Sequence, residues 1–143
     1  MNKKKMCWWI TEKCNENCEY CFRSLSSINN FNFEEHMIIL KKIIELGTDQ
    51  ITWSGGEALL IPHATLLIKY AKENGIYNKI TTNGKLLTPK KIDELKPYVD
   101  LVALSIDSLN DETNLSLGRG IEHRKTVEDR LKCLKDAGIK VDI

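Results

Sequence analysis

Thr11-Glu12-Lys13-Cys14-Asn15-Glu16-Asn17-Cys18-Glu19-Tyr20-Cys21-Phe22 is the stretch that decides the reading. It follows Met6–Thr11, a short apolar and aromatic run that reads as a strand, so its three cysteines fall on the loop at a strand's carboxyl end. Their spacing is C-x3-C-x2-C. Thiolates this close converge on one polynuclear iron–sulfur cluster if the loop wraps around it. A cubane cluster has four irons, so three cysteines leave one iron open to a small molecule, an arrangement suited to chemistry as well as electron transfer. The competing reading is structural zinc, which wants four ligands, usually in two closely spaced pairs. The fourth would have to be Cys7, Cys133, His36, His63 or His123, and none completes a familiar zinc pattern.

The rest of the composition narrows the setting. The chain has 143 residues, 42% hydrophobic and 29% charged, which describes one ordinary soluble domain with material for a core. With 21 Lys+Arg against 20 Asp+Glu, the net charge of +1 gives no reason to expect a nucleic-acid surface. No apolar run approaches the roughly 18 residues of a membrane span. The basic start Met1-Asn2-Lys3-Lys4-Lys5 precedes an apolar run, Met6 to Ile10, shorter than the roughly 7–15 residues of a signal-peptide core. A cytoplasmic protein is expected. An odd count of five cysteines in that reducing setting argues against a disulfide framework and for metal or reactivity.

Outward from the cysteines, short β-branched or aromatic runs alternate with longer amphipathic stretches. Strands are expected at Met6–Thr11, Gln50–Trp53, Tyr77–Thr82, Leu101–Ile106 and Ile139–Ile143. Helices are expected at about 33–46, 62–74, 89–96 and 122–137. Asn32 with Glu35 opens the first as a capping box, and Gly47 stops it. Pro62 opens the second and Gly75 follows it; Thr88 and Pro89 open the third; Gly138 ends the fourth. Five strands and four helices in strict alternation predict parallel strands with helical crossovers, an α/β partial barrel forming a single domain over 1–143. The chain ends inside an apparent strand, which suggests a short member or a piece of a longer barrel.

In such folds functional loops lie at the carboxyl ends of strands, and that is where the remaining motifs fall. The second strand runs into Ser54-Gly55-Gly56-Glu57, where two glycines allow close backbone approach and Glu57 can accept a hydrogen bond from an amine. The third ends in Thr81-Thr82-Asn83-Gly84, by itself a turn signal. After the fourth, alternation aims Ser105 and Asp107 to one side. Further on, Gly118-Arg119-Gly120 sets a guanidinium between two flexible positions, suited to clamp phosphate or carboxylate oxygens. Cys133 reads as a small hydrophobe in a helix, and Trp8, Trp9 and Trp53 as core or rim packing.

With Tyr20 in the aromatic slot of C-x3-C-x-aromatic-C, the sequence resembles the radical S-adenosylmethionine (SAM) superfamily. The resemblance implies a [4Fe-4S] cluster on Cys14, Cys18 and Cys21, with SAM chelating the open iron through its amino and carboxylate groups. Reductive cleavage would then give a 5′-deoxyadenosyl radical that takes hydrogen from substrate. Gly55-Gly56-Glu57 resembles the family motif that holds the SAM amino group, with Ala58 where the family usually has Pro. Asn83, with Thr82, would lie beside the adenosine, and Ser105, ahead of Asp107, against the ribose. More narrowly, Asp107-Ser108 with Asn114-Leu115-Ser116-Leu117-Gly118-Arg119-Gly120 looks like viperin and its prokaryotic relatives, over about the first half of their core. That likeness implies dehydration of a nucleoside triphosphate to its 3′-deoxy-3′,4′-didehydro form in antiviral, phage-directed defence. It also implies an electron donor such as a flavodoxin or ferredoxin, and Arg119 at the cofactor or substrate anion. Viperins tend to carry polar or basic triphosphate contacts where this chain has Cys7, Gln50 and Asp142, and an Asp there would repel the phosphates. The alternatives are another radical SAM chemistry, in peptide or cofactor maturation, or a non-catalytic cluster- or zinc-binding fragment.

Overall fold

The computed structural model describes residues 3–21 and 31–143. Its strands are β1 (Lys5–Thr11), β2 (Gln50–Gly55), β3 (Tyr77–Thr82), β4 (Leu101–Leu104) and β5 (Lys140–Asp142). Its helices are α1 (Phe33–Glu45), α2 (Ala64–Glu73), α3 (Pro89–Leu95), α4 (Asp111–Ser116) and α5 (His123–Asp136), with a 3-10 turn at Ala58–Leu60. All strand pairs are parallel, and their spatial order is the sequence order, β1 to β5. Sequential order means every crossover steps the same way, and right-handed crossovers then place every helix on the same face. A doubly wound sheet would reverse direction partway. This is the strand arrangement of a partial (β/α) barrel.

The boundaries of α1 and α3 hold because their caps form, whereas α2 starts at Ala64 rather than Pro62 and neither it nor α5 has a side-chain cap. Asn32 accepts from the Glu35 amide at 2.9 Å while Glu35 accepts from the Asn32 amide at 2.8 Å, a complete capping box. Thr88 accepts from the Lys91 amide, with Pro89 at the first helical position. Two further elements differ from expectation. β4 stops at Leu104 rather than Ile106, so Ser105 and Asp107 stand on the loop beyond it. That loop contains a helix absent from the sequence reading, α4, capped by Asn110 through the Thr113 amide.

The core lies between the sheet and the helices. Ile51, Trp53, Ile80, Val102 and Leu104 project from the strands onto Leu40 and Ile43 of α1, Leu67 and Ile68 of α2, Ile92 and Leu95 of α3, and Val127 and Leu134 of α5. Trp53 is buried whole, its indole nitrogen donating to Asn78 Oδ1 at 2.9 Å, and Asn78 in turn donates to the Ile68 and Tyr98 carbonyls. The opposite face alternates with the core positions and is polar and partly open: Thr52, Ser54, Lys79, Thr81 and Asp142 sit there. Asp142, expected to repel a triphosphate, pairs with Lys79 at 2.9 Å. Trp9 lies on this open face and is exposed, so it belongs to the rim rather than the core. Among the described residues, no helix is long and apolar enough to cross a membrane.

Candidate cofactor site

One cavity at the carboxyl edge of the sheet gathers Cys14, Cys18 and Cys21 with Gly55, Gly56, Asn83, Ser105 and Arg119. Of the site residues read from sequence, Glu57 and the second-choice Asp107 are not among its lining. The cavity exists because the cysteine loop folds back over three other strand ends, and the contacts are mostly backbone to backbone.

β1 leaves the ladder through a register shift between Trp9 and Thr11, a bulge of the kind that re-aims a strand beside a site. His36 receives the Ile10 carbonyl at that point, Nε2 to O 3.2 Å. A carbonyl only accepts, so Nε2 carries the hydrogen, and Nδ1 is left to accept from His63 Nε2 at 2.8 Å. Thr11 and Lys13 then give their carbonyls to the amides of Gly56 and Glu57, both at 2.8 Å. A Cβ on Gly55 would lie 2.2 Å from the Thr11 carbonyl oxygen, and one on Gly56 would lie 2.2 Å from that of Lys13. The two glycines are therefore demanded first by the cysteine loop itself.

Glu57 is braced inside the protein, only 1% exposed. Its carboxylate accepts from Thr82 Oγ1 at 2.9 and 3.0 Å, from the Asn83 amide at 3.0 Å and from the Leu59 amide at 3.2 Å. Burial pushes its pKa up, and those donors pull it back. Glu57 thus ties the end of β2 to the end of β3 and fixes Asn83, whose amide group donates to Asn15 Oδ1 at 2.7 Å within the cysteine loop. The Glu16 amide points at Cys14 Sγ, 3.4 Å away, a donor suited to a thiolate. Glu16 itself is buried and pairs with Lys85 at 2.9 Å.

The loop after β4 closes the other side. His123 Nε2 holds the Ser105 carbonyl at 3.0 Å, so this histidine orients a site segment; burial first, then Arg119, lowers its pKa. Arg119 is only 8% exposed, although its flanking glycines had suggested a mobile clamp. Its Nε donates to Asp107 Oδ2 at 2.6 Å and a terminal nitrogen donates to the Tyr20 hydroxyl at 2.8 Å. Burial opposes its charge, but Asp107, Cys18 and Tyr20 outweigh burial and hold it protonated. Burial raises the Cys18 pKa, against the pull of Arg119.

His36, His63 and His123, the candidate zinc ligands, are engaged as described, Cys7 is exposed, and Cys133 packs half-buried against the core. Among the described residues, no three His, Cys, Asp or Glu side chains converge as they would on a single metal ion. Three thiols around one shared cavity, one already facing an amide donor, fit a larger sulfur-bound group.

The chain matches the Radical SAM superfamily over residues 9–143 and belongs to that family. As a member it takes S-adenosylmethionine and an iron–sulfur cluster as cofactors. It is 36% identical over 123 residues to an S-adenosylmethionine-dependent nucleotide dehydratase of Lacinutrix mariniflava, covering 81% of this chain and 26% of that one. It is 34% identical to the protein of the same name in Flammeovirga pacifica, covering 77% and 40%. The chain therefore spans about a quarter to two fifths of these relatives. In fold it is similar to Streptococcus suis SuiB bound to precursor peptide SuiA, with TM-score 0.81 at 22% identity over 97% of this chain and 32% of that one.

Proposed function

We propose that residues 1–143 form one radical SAM core domain of a viperin-like nucleotide dehydratase, with Cys14, Cys18 and Cys21 holding a [4Fe-4S] cluster. The observation that carries this reading is the single cavity shared by the three thiols, the Gly55-Gly56 backbone, Asn83, Ser105 and Arg119. The names of the sequence relatives support nucleotide dehydration over other chemistries of the family. When bound, the reduced cluster and SAM supply a carbon-centred radical that removes hydrogen from the substrate.

The residues of this chain do the holding. Gly55 and Gly56 bring backbone against the amino-acid end of SAM, while Glu57 keeps β2 and β3 in register from behind. Asn83 stands beside the adenosine, and Ser105 is directed to the ribose by the His123 bond to its carbonyl. Arg119 gives the cavity a fixed positive charge for a carboxylate or phosphate. The substrate is a nucleoside triphosphate, the setting is the cytoplasm in antiviral defence, and the electrons come from a flavodoxin- or ferredoxin-type donor.

The test is anaerobic iron–sulfide reconstitution followed by incubation with SAM, dithionite and each of CTP, UTP, GTP and ATP, with products read by mass spectrometry. 5′-Deoxyadenosine rising with one nucleotide, together with a product lighter by one water, is the expected result. A cluster that forms but cleaves SAM without consuming any nucleotide would overturn the dehydratase assignment, and failure to take up iron would overturn the cluster site.

A further inference from the structure

Tyr20 occupies the aromatic slot between Cys18 and Cys21, where any aromatic ring would fill the space. Its hydroxyl does something a ring alone does not. It donates to Asp107 Oδ1 at 2.8 Å and accepts from Arg119 at 2.8 Å, while Arg119 Nε donates to Asp107 Oδ2 at 2.6 Å. The three side chains close a triangle in which one bond joins the Arg119 cation directly to the Asp107 anion and the other two bridge them through the Tyr20 hydroxyl. Burial and the Asp107 bond push the Tyr20 pKa up to about 12, so the hydroxyl keeps its hydrogen at neutral pH.

The same two segments also meet through their backbones. The Glu19 amide donates to the Leu117 carbonyl at 3.1 Å. Gly118, at φ +82°, passes so close that a Cβ there would lie 2.3 Å from the Asn17 carbonyl oxygen and 3.1 Å from Cys18 Cα. Arg119 is presented by α4: its amide bonds the Asn114 carbonyl at 2.9 Å, and Asn114 Nδ2 bonds the Ser108 carbonyl at 2.9 Å. The loop from 107 to 119 is thus a small built unit whose outer face grips residues 17–21.

We propose that the Asp107–Tyr20–Arg119 triangle is a latch that sets the position of Cys18 and Cys21, making Tyr20 a positioning residue for the cluster. This rests on the assignment of the cysteines as cluster ligands. Cys14 is held separately, by the Gly56 and Asn83 contacts described above. The latch therefore acts on two of the three thiols and leaves the third in place.

The test is Tyr20→Phe in the full chain, which removes one oxygen and keeps the ring. In the metal-free protein, alkylation of Cys18 and Cys21, followed by peptide mass spectrometry, should speed up roughly thirtyfold, the factor expected for two lost hydrogen bonds, with Cys14 unchanged. After reconstitution, the electron paramagnetic resonance spectrum of the reduced cluster should change shape. Asp107→Asn, which keeps size but weakens both bonds to the triangle, should move both readouts in the same direction. Circular dichroism establishes that each variant is folded. Unchanged alkylation at Cys18 and Cys21 in folded Tyr20→Phe, or equal acceleration at all three cysteines, would overturn the latch. Should the wild-type chain take up no iron, the cluster assignment fails, while the alkylation pattern still decides whether Tyr20 positions the loop.

Discussion

Gly56→Ala isolates the most demanding contact in the site. Unlike Gly55, with φ +131°, Gly56 does not have a left-handed backbone, so alanine brings no conformational penalty of its own. The whole effect is the new Cβ, placed 2.2 Å from the Lys13 carbonyl oxygen, 2.6 Å from its carbon and 2.7 Å from the Glu12 carbonyl oxygen. All three atoms are backbone, so relief needs the cysteine loop to retreat by roughly 1 Å. That displacement breaks or stretches the Gly56–Thr11 and Glu57–Lys13 hydrogen bonds, both 2.8 Å. At about 0.5–1.5 kcal/mol each, their loss costs about 1–3 kcal/mol. Lys13 is bonded to Cys14 through the chain, so the same retreat carries the first thiol out of the cavity. The assay is urea unfolding of the metal-free protein together with iron bound per chain after anaerobic reconstitution. The control is Gly138→Ala, at φ +75° with nothing within 4 Å, which should cost about 1–2 kcal/mol through its backbone angle and leave iron uptake intact. A Gly56→Ala protein within about 0.5 kcal/mol of wild type and fully loaded with iron would refute the steric reasoning.

Three further outcomes follow from other parts of the fold. Trp53→Phe leaves Asn78 Oδ1 buried without its indole donor and should destabilise by about 3 kcal/mol, read from the shift in the urea midpoint. Asn32→Ala opens the capping box of α1 and should cost about 1 kcal/mol, with Asn32→Ser recovering most of it in the same denaturation series. Burial and His36 lower the His63 pKa, so the folded state favours the neutral ring: this contribution is complete above the unfolded value of about 6.5 and is lost as pH falls below it. Thermal melts across pH 7.5 to about 5 should therefore show a decline that is shallower in His63→Gln, whose amide still offers His36 a donor; parallel curves would remove His63 as a cause.

The sheet and its main helices were legible because each carries its own local signal. Asn32 with Glu35, Thr88 with Pro89, and Gly47, Gly75 and Gly138 at positive φ all act where they stand in the chain. The cysteine spacing was equally local, as three ligands on one loop declare themselves without tertiary information. What escaped depended on distance in sequence. The helix α4 is six residues long, too short for a periodic apolar face, and only its Asn110 cap with Asp111 and Glu112 in the first turn could have marked it. The bonds from Thr82 and Asn83 to the Glu57 oxygens also escaped, because those residues stand 25 and 26 positions along the chain from it. Arg119 between glycines read as a mobile clamp, and its restraint came from Asp107 and from Tyr20, 99 residues away. His36, His63 and His123 completed no zinc pattern in the sequence, but the partners they take instead were invisible until the fold assembled.

The seating of the cysteine loop on glycine backbone has a consequence for how such a site can change over generations. Gly55, Gly56 and Gly118 meet the loop at main-chain atoms of Thr11, Lys13 and Asn17, and main-chain atoms are the same whatever side chain is attached. The side chains of Lys13 and Asn17 are therefore interchangeable as far as these seats are concerned, while the glycines beneath them tolerate no replacement. Variation can accumulate at those loop positions, altering charge and access around the thiols, without disturbing where the thiols stand. A site built this way separates what may be explored from what must be inherited intact.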